Sequence, residues 1–282
     1  MGIRLVTDST ADLTVEQAKG LDITIVPLTV FFGEEAYLDN VELDNAAFYQ
    51  KLQASKELPR TSQPSPAAFQ EAYTRLINEG ADGIISLHLS SKLSGTYQSA
   101  CTGRDSLPEE LRKVPIEVID SQSISVGMAY PLMRAVEQIR QGLGMEEVKE
   151  QMLSRLTRTR ILAVLDTLEF LKRGGRIGTA RALLGNMLSV KPIVSLKEGA
   201  VVPVEQPRTR SKAYARIAQL VGEMGALEHL YIAEASVEVG EQLADTLKGI
   251  YAGTIETCKL GAVLGTHTGP GTVAISAVTA QS

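Results

Sequence analysis

Tryptophan is absent from the 282 residues, and aromatic residues together make up 5%. A core built with so few large rings must be mostly aliphatic. Cysteine occurs only as Cys101 and Cys258, with no CxxC spacing. A disulfide framework is therefore not expected, and two reduced, buried thiols are. There are three histidines, no HExxH and no calcium-type acidic loop, so no metal is expected. Basic excess is also missing: formal net charge is −5. That argues against a nucleic-acid binder, which needs a basic footprint, although a local basic patch remains compatible. No apolar run approaches the ~18 residues of a membrane span. Arg4 and Asp8 interrupt the first apolar stretch, so a signal peptide is not expected. Val6 stands where a myristoylation motif needs Ser or Thr. These absences point to a cytoplasmic protein without transmembrane segments.

Two catalytic signatures are missing as well. No GxxxxGK[ST] loop is present, and RGGRIG (173–178) lacks the dinucleotide spacing and follows a predicted helix. The nucleophile elbow GxSxG is absent, because KLSGT (92–96) puts Lys92 where the first glycine belongs.

What is present is strand–helix alternation. IRLVTD (3–8), ITIVPLTVFF (23–32), GIISLHL (83–89) and IEVID (116–120) read as strands. Thr14 and Gln17 make a capping box for a short helix closing at Gly20, and Asp44 caps a helix running to Leu52. Ser65 and Pro66 open a helix that ends at Gly80. Further helices are expected over 94–105 and 126–140. Beyond about residue 155 the pattern changes. ILAVLD (161–166) is a strand and LEFLKRGG a short helix with a glycine stop. KPIVSLKEGAVVPVEQ (191–206) reads as a hairpin turning at Glu198-Gly199. A helix over 210–224, strands over 231–235 and 254–260, and a helix over 238–250 follow. The expected architecture is α/β with two α/β domains, 1–155 and 156–282, the first carrying a mostly parallel sheet. The loop and helix of 59–80 are free to pack on the second domain.

Five loops are rich in hydroxyls: DSTADL (8–13), TSQPSP (61–66), SSKLSGT (90–96), DSQS (120–123) and GTHTGPGT (265–272). Ligands of open parallel sheets bind outside the carboxyl ends of strands. Hydroxyls and backbone N–H groups at a helix start suit an anion. The same serines also serve as caps and turn formers. His88 and His229 lie in apolar strand runs and read as structural, whereas His267 sits in a Gly/Thr-rich loop. Ser94 with His267 is therefore the one pairing open to a serine esterase or thioesterase. Lys172, Arg173, Arg176, Arg208 and Arg210 form local basic clusters, readable as a solvated face or as a phosphate- or partner-binding patch.

Taken in order, TDSTADL, TSQPSP, LSSKLSGTYQSA, LDTLEFLKRGGRIG, KPIVSLKEG, RTRSKA and GTHTGPGT resemble the DegV family over essentially the whole chain. The resemblance implies two α/β domains with a fatty acid buried between them. It implies a lipid-binding subunit of a two-component fatty acid kinase, with no turnover and no cofactor of its own. Such a subunit presents the carboxylate to a separate ATP-dependent kinase subunit. It then carries acyl phosphate toward an acyltransferase and phospholipid synthesis, with transient membrane-surface contact allowed. By matching motif, Thr61, Ser62, Ser94 and His267 are expected at the carboxylate. Arg208 or Arg210, with Lys172, Arg173 and Arg176, is expected to engage the partner or its phosphate.

Overall fold

The computed structural model describes residues 2–186 and 190–281. The chain opens with β1 (Gly2–Asp8) and α1 (Val15–Leu21). Both reciprocal bonds of the Thr14–Gln17 capping box form, and α1 closes on Asp22 in the left-handed region. The 23–32 stretch, which reads as one strand or a pair of short ones, forms a pair divided at Pro27, β2 (Ile23–Val26) and β3 (Thr29–Phe32), followed by β4 (Glu35–Leu38). Proline has no N–H for a ladder, so the chain changes sheets there. Then come α2 (Asn45–Ala54), capped by Asp44, and β5 (Arg60–Ser62). Next, α3 (Pro66–Asn78) is capped by Ser65, and β6 (Ala81–His88), α4 (Thr96–Asp105), β7 (Ile116–Asp120) and α5 (Val126–Arg140) follow.

A helix absent from the sequence reading comes next, α6 (Met145–Arg158). Glu146 and Glu147 lie in its first turn and Arg155 and Arg158 in its last, each complementing the helix dipole. After β8 (Thr159–Val164) and α7 (Glu169–Arg173) comes a 3-10 run, Gly178–Asn186. Strands β9 (Ile193–Lys197) and β10 (Ala200–Glu205) form the expected hairpin. Glu198 at φ 51° and Gly199 at φ 79° give the paired positive angles that a tight hairpin turn requires. The chain finishes with α8 (Arg210–Glu223), β11 (Leu227–Glu234), α9 (Val237–Leu247), β12 (Glu256–Lys259), α10 (Ala262–Thr268) and β13 (Val273–Thr279). The stretch read as a GTHTGPGT loop (265–272) is thus the end of α10, to Thr268, followed by a turn that leads into β13.

Three sheets result. The first, β2-β1-β6-β7, is parallel throughout. The second, β10-β9-β8-β13-β11-β12, is antiparallel except for its β11–β12 edge. The third is a small antiparallel sheet, β4-β3-β5. The mixed α/β class and the parallel first sheet match the sequence reading.

Helices α8 and α9 cover one face of the second sheet, where Ala213, Ile217, Leu243 and Leu247 meet Val164 and Ile275. Its other face is approached by elements from the start of the chain. Val30 and Phe32 of β3 and Phe48 of α2 pack with Val263 and Leu264 of α10. Phe48 is fully buried, so truncating it to Ala would cost about 3–5 kcal/mol. Helix α3 instead packs on the first sheet, through Phe69, Tyr73 and Leu76 against Val6 and Ile84. The loop just before it reaches the C-terminal elements through Thr61.

Candidate ligand-binding site

A cavity of about 340 Å³ lies between the uncovered face of the second sheet and the loops that follow the first. That is within the usual range of small-molecule sites, about 300–1,000 Å³. Its walls are aliphatic: Ala163 of β8 and Leu165 just after it, Val194 and Leu196 of β9, Val263 and Leu264 of α10. Ile124, Val126 and Ile161 also line it. No Phe, Tyr or Trp side chain does so among the described residues.

Most hydroxyls on the wall are already satisfied by protein. Ser125 donates to Asp12, Ser195 to the Ile161 carbonyl, Thr268 to that of Leu264 and Thr272 to that of Thr268. The remaining polar groups gather around one point. Thr61, Ser62, Ser94, Arg176 and His267 all line the cavity. Thr61 Oγ1 lies 2.8 Å from His267 Nε2. Ser94 Oγ sits 2.9 Å from Thr96 Oγ1 and accepts from the Thr96 N–H at the start of α4. Ser62 has no hydrogen-bond partner among the described residues.

TSQPSP divides its work residue by residue. Thr61 pairs with Val30 in the small sheet, which fixes its side chain at the cavity. Gln63 donates to Ser99 and lies against Gly95, where an added Cβ would stand 2.5 Å from the Gln63 Oε1. Ser65 accepts from Ala68 N–H and caps α3. The loop is therefore part head-group contact, part tie to α4 and part helix cap.

Burial pushes the His267 imidazole down to about 4, and the nearby Arg176 guanidinium adds to the shift. The ring is therefore neutral at pH 7. Its Nδ1 is buried with no partner. A buried N–H without an acceptor is rarer than an unpaired acceptor. The favoured tautomer therefore carries its proton on Nε2 and donates to Thr61 Oγ1. That leaves the Thr61 hydroxyl proton to donate into the cavity.

The Gly-Gly pair after α7 makes room for this ring. A Cβ on Gly174 would lie 2.3 Å from His267 Nδ1. Gly175, at φ 73° with open space around it, supplies the left-handed stop. RGGRIG thus does more than end a helix.

The geometry of a serine hydrolase is not formed. The Ser94 hydroxyl bonds to Thr96, His267 Nε2 bonds to Thr61, and no acid among the described residues orients Nδ1. The other histidines have structural surroundings. His88 lies between Asp8, at 3.0 Å, and Ser86, at 2.7 Å. His229 stacks on Tyr130 with ring centroids 4.0 Å apart.

The basic residues separate into three settings. Arg176 belongs to the cavity mouth. Lys172 and Arg173 are exposed on α7, with Arg173 bonded to Glu169 at 2.6 Å. Arg210 is tied internally to Asp166, the Gly271 carbonyl and the Tyr214 hydroxyl, while Arg208 is exposed.

Two buried carboxylates were not singled out as site residues. Asp12 accepts from the Gly261 N–H at 2.9 Å and Asp39 from the Ala262 N–H at 3.1 Å. They hold the N-terminal end of α10, the helix that carries His267. Burial pushes Asp12 up to about 8 and Asp39 up to about 7, partly offset by these hydrogen bonds.

An α/β scaffold around an aliphatic cavity with a cluster of polar side chains suits an apolar molecule with a polar head. The comparisons agree with that class. A family model described as "Uncharacterised protein, DegV family" matches residues 2–280. The chain belongs to the DegV family. A DegV domain-containing protein of Halalkalibacterium halodurans is 38% identical over 281 residues, 97% of each chain. A fatty-acid-binding DegV family protein of Thermus thermophilus superposes with a TM-score of 0.90 at 36% identity, covering 99% of this chain and 100% of that one. A stearic acid-binding protein of Eubacterium ventriosum superposes with a TM-score of 0.91 at 25% identity, covering 98% of both.

Proposed function

We propose that this protein binds a long-chain fatty acid in the cavity, with the carboxylate at Thr61, Ser62, Ser94 and His267. The observation that carries this reading is the distribution of polar groups: Thr61, Ser62, Ser94, Arg176 and His267 share a slot otherwise walled largely by aliphatic side chains. A carboxylate leaving water needs such donors to offset its desolvation. The tail contributes about 0.8 kcal/mol per buried CH₂. DegV relatives of similar fold that bind fatty acids support the same reading.

The bound acid is then presented to a separate ATP-dependent kinase subunit. The protein carries the acyl phosphate onward to an acyltransferase and works in the cytoplasm without turnover of its own. Exposed Lys172, Arg173 and Arg208 provide the docking charges. No helix among the described residues is long and apolar enough to cross a membrane, so membrane contact would be at a surface. In this reading the chain divides into two domains at about residue 155, and the slot lies between the halves.

Mass spectrometry of an organic extract of the denatured protein tests the lipid reading. About one fatty acid per chain is expected. An empty extract, with no uptake of added fatty acid, overturns it, and thioester hydrolysis lost in Ser94→Ala would replace it. For the docking face, Lys172→Glu with Arg173→Glu should weaken acyl-phosphate formation with the kinase present and leave the lipid in place. Undiminished acyl-phosphate formation removes that part.

A further inference from the structure

The β9–β10 hairpin forms one edge of the second sheet and supplies Val194, Leu196 and Val201 to the cavity wall. Its tip reaches the loop that follows β6. There Ser90, fully buried, donates from Oγ to the Gly199 carbonyl at 2.7 Å. Among the described residues this is the only hydrogen bond between the hairpin and the loops that follow the strands of the first sheet. A Cβ on Gly199 would stand 2.2 Å from Ser90 Oγ and 3.4 Å from Gln122 Cα. The tip is therefore seated directly on that loop, and glycine serves there for close approach as well as for its positive φ.

Ser90 also organises its own loop. Its Oγ accepts from the Lys92 N–H at 3.1 Å, and its carbonyl accepts from the Leu93 N–H at 2.9 Å and the Ser94 N–H at 3.1 Å. Residues 90–94 thus form one hydrogen-bonded turn with Ser94 at its end. On the mouth side this turn is held by Arg176, whose Nε donates to the Leu93 carbonyl at 3.1 Å and whose Nη1 donates to the Gly174 carbonyl at 2.6 Å. On the hairpin side it is held by Ser90.

The path from tail wall to head group is short. Leu196 lies three residues before Gly199, and Ser94 four residues after Ser90. Strand β10 is an edge strand, so the hairpin has a strand neighbour on one side only. A tail lying against Leu196 and Val201 presses this hairpin outward, and close-packed interiors transmit such a displacement rather than absorb it. The displaced tip carries the Gly199 carbonyl with it, and the Ser90 turn follows.

We propose that Ser90 is a positioning residue: bonded to Gly199 on one side and to Ser94 on the other, it couples the β9–β10 tail wall to the head-group hydroxyl, so that a tail filling the wall sets Ser94 in place for the carboxylate. The proposal rests on the fatty-acid reading and adds how the tail is reported at the head. A short tail then loses twice, once in its own burial and once in the alignment of Ser94.

The test is a double-mutant cycle on lipid-extracted full-length protein, with hexadecanoic acid displacing the fluorescent probe cis-parinaric acid. The cycle pairs Leu196→Ala on the wall with Ser94→Ala at the head. With Ser90 present, the combined loss of affinity should fall short of the product of the single losses by about fivefold, equivalent to about 1 kcal/mol. The reason is that Ser94 is already misplaced once the wall is truncated. Repeated in Ser90→Ala, the losses should multiply to within about twofold. A merely structural Ser90 would lower affinity throughout and leave the coupling as it was. Ser90→Cys, close in shape but a weak donor, gives the same reading if the Ala variant does not fold. Losses that multiply with Ser90 present, or coupling that survives its replacement, overturn the proposal and leave fatty-acid binding intact. Undiminished binding in Ser94→Ala alone removes Ser94 from the head group and overturns the proposal with it. Failure of wild type to bind either acid overturns the fatty-acid reading itself.

Discussion

Substituting Gly174 by Ala should damage the head-group site without a comparable loss of stability. At φ −69° and ψ −10° the backbone is ordinary right-handed helix, so alanine needs no strained conformation. Its new methyl would lie 2.3 Å from His267 Nδ1, 3.0 Å from Cε1 and 3.1 Å from the Phe170 carbonyl oxygen. Relaxed contacts between heavy atoms lie nearer 3.5–4.0 Å, so the imidazole must move by about 1 Å. A shift of that size breaks the 2.8 Å bond to Thr61. One such hydrogen bond is worth about 0.5–1.5 kcal/mol, and overpacking adds about 1–3 kcal/mol. The helical preference of Ala over Gly returns up to about 1 kcal/mol. The expected result is a stability loss of about 0.5–3.5 kcal/mol with fatty-acid affinity reduced about tenfold. Gly175→Ala is the control. Its positive φ costs about 1–2 kcal/mol, but nothing stands within 4 Å of the new methyl. It should unfold more easily and bind normally. Urea unfolding and fluorescent fatty-acid titration separate the two outcomes. Normal affinity in Gly174→Ala, with His267 ring resonances unmoved, would refute this account of the glycine pair.

Arg210→Ala should lose about 1.5–3 kcal/mol of stability in denaturant unfolding, since it strips a partly buried network at Asp166 and Gly271 of its charged donor. Arg208→Ala should stay within about 0.5 kcal/mol of wild type, so any kinase defect it shows reports docking; equal losses would contradict the two settings. The folded-state titration of His267, followed by its ring NMR signals, should centre near 4. Unfolded chains take up that proton near 6.5, so this ring's contribution to stability is present above pH 6.5 and is lost as pH falls toward 4. A midpoint at or above 6.5 would show that the ring is not buried as described. Asp39 runs the other way: folded, it keeps its proton to about pH 7, while the unfolded carboxyl releases it near 3.8. Its contribution is full below pH 4 and declines as pH rises to 7. Asp39→Asn should flatten that decline by up to about 1.4 kcal/mol per pH unit, and an unchanged slope would refute it.

Local signals made much of this fold legible. The Thr14–Gln17 box, the Ser65-Pro66 start and the Glu198-Gly199 turn each involve residues close in sequence, and each forms as read. Helix α6 was missed because two residues blur its buried Val148–Met152 stripe: Leu153 is 40% exposed whereas Arg155 is buried against Glu228. Helix α10 was read as loop because its glycines and threonines are poor helix formers. What stabilises it lies far away, with Asp12 and Asp39 bonding to residues 249 and 223 positions downstream. The same distance hid part of the site. Thr61 and His267 are 206 residues apart, and no spacing rule connects them. Only the resemblance placed them together as expected carboxylate contacts. The role of Gly174 was equally hidden, because a glycine stop and a glycine that clears space look alike in sequence.

The site depends on register between distant parts of the chain, and α10 is where that register is set. Its N-terminal end is held by Asp12 and Asp39, and its C-terminal end by Thr61 through His267. All three holding residues belong to the first quarter of the chain. The second sheet supplies the apolar wall, but the donors on that wall come from loops outside it: β5, the start of α4 and the turn after α7. A fatty acid would therefore contact both groups at once, its tail on one and its head on the other. Movement of the first sheet relative to the second would separate head-group donors from tail wall. Such movement requires breaking the buried hydrogen bonds of Asp12 and Asp39 at α10, each worth about 0.5–1.5 kcal/mol, or the Arg176 tie, which lies at a wet edge. The mouth has the weaker of these ties. Ligand exchange should therefore proceed by release of Arg176 from Leu93 and Gly174, with α10 remaining anchored at Asp12 and Asp39.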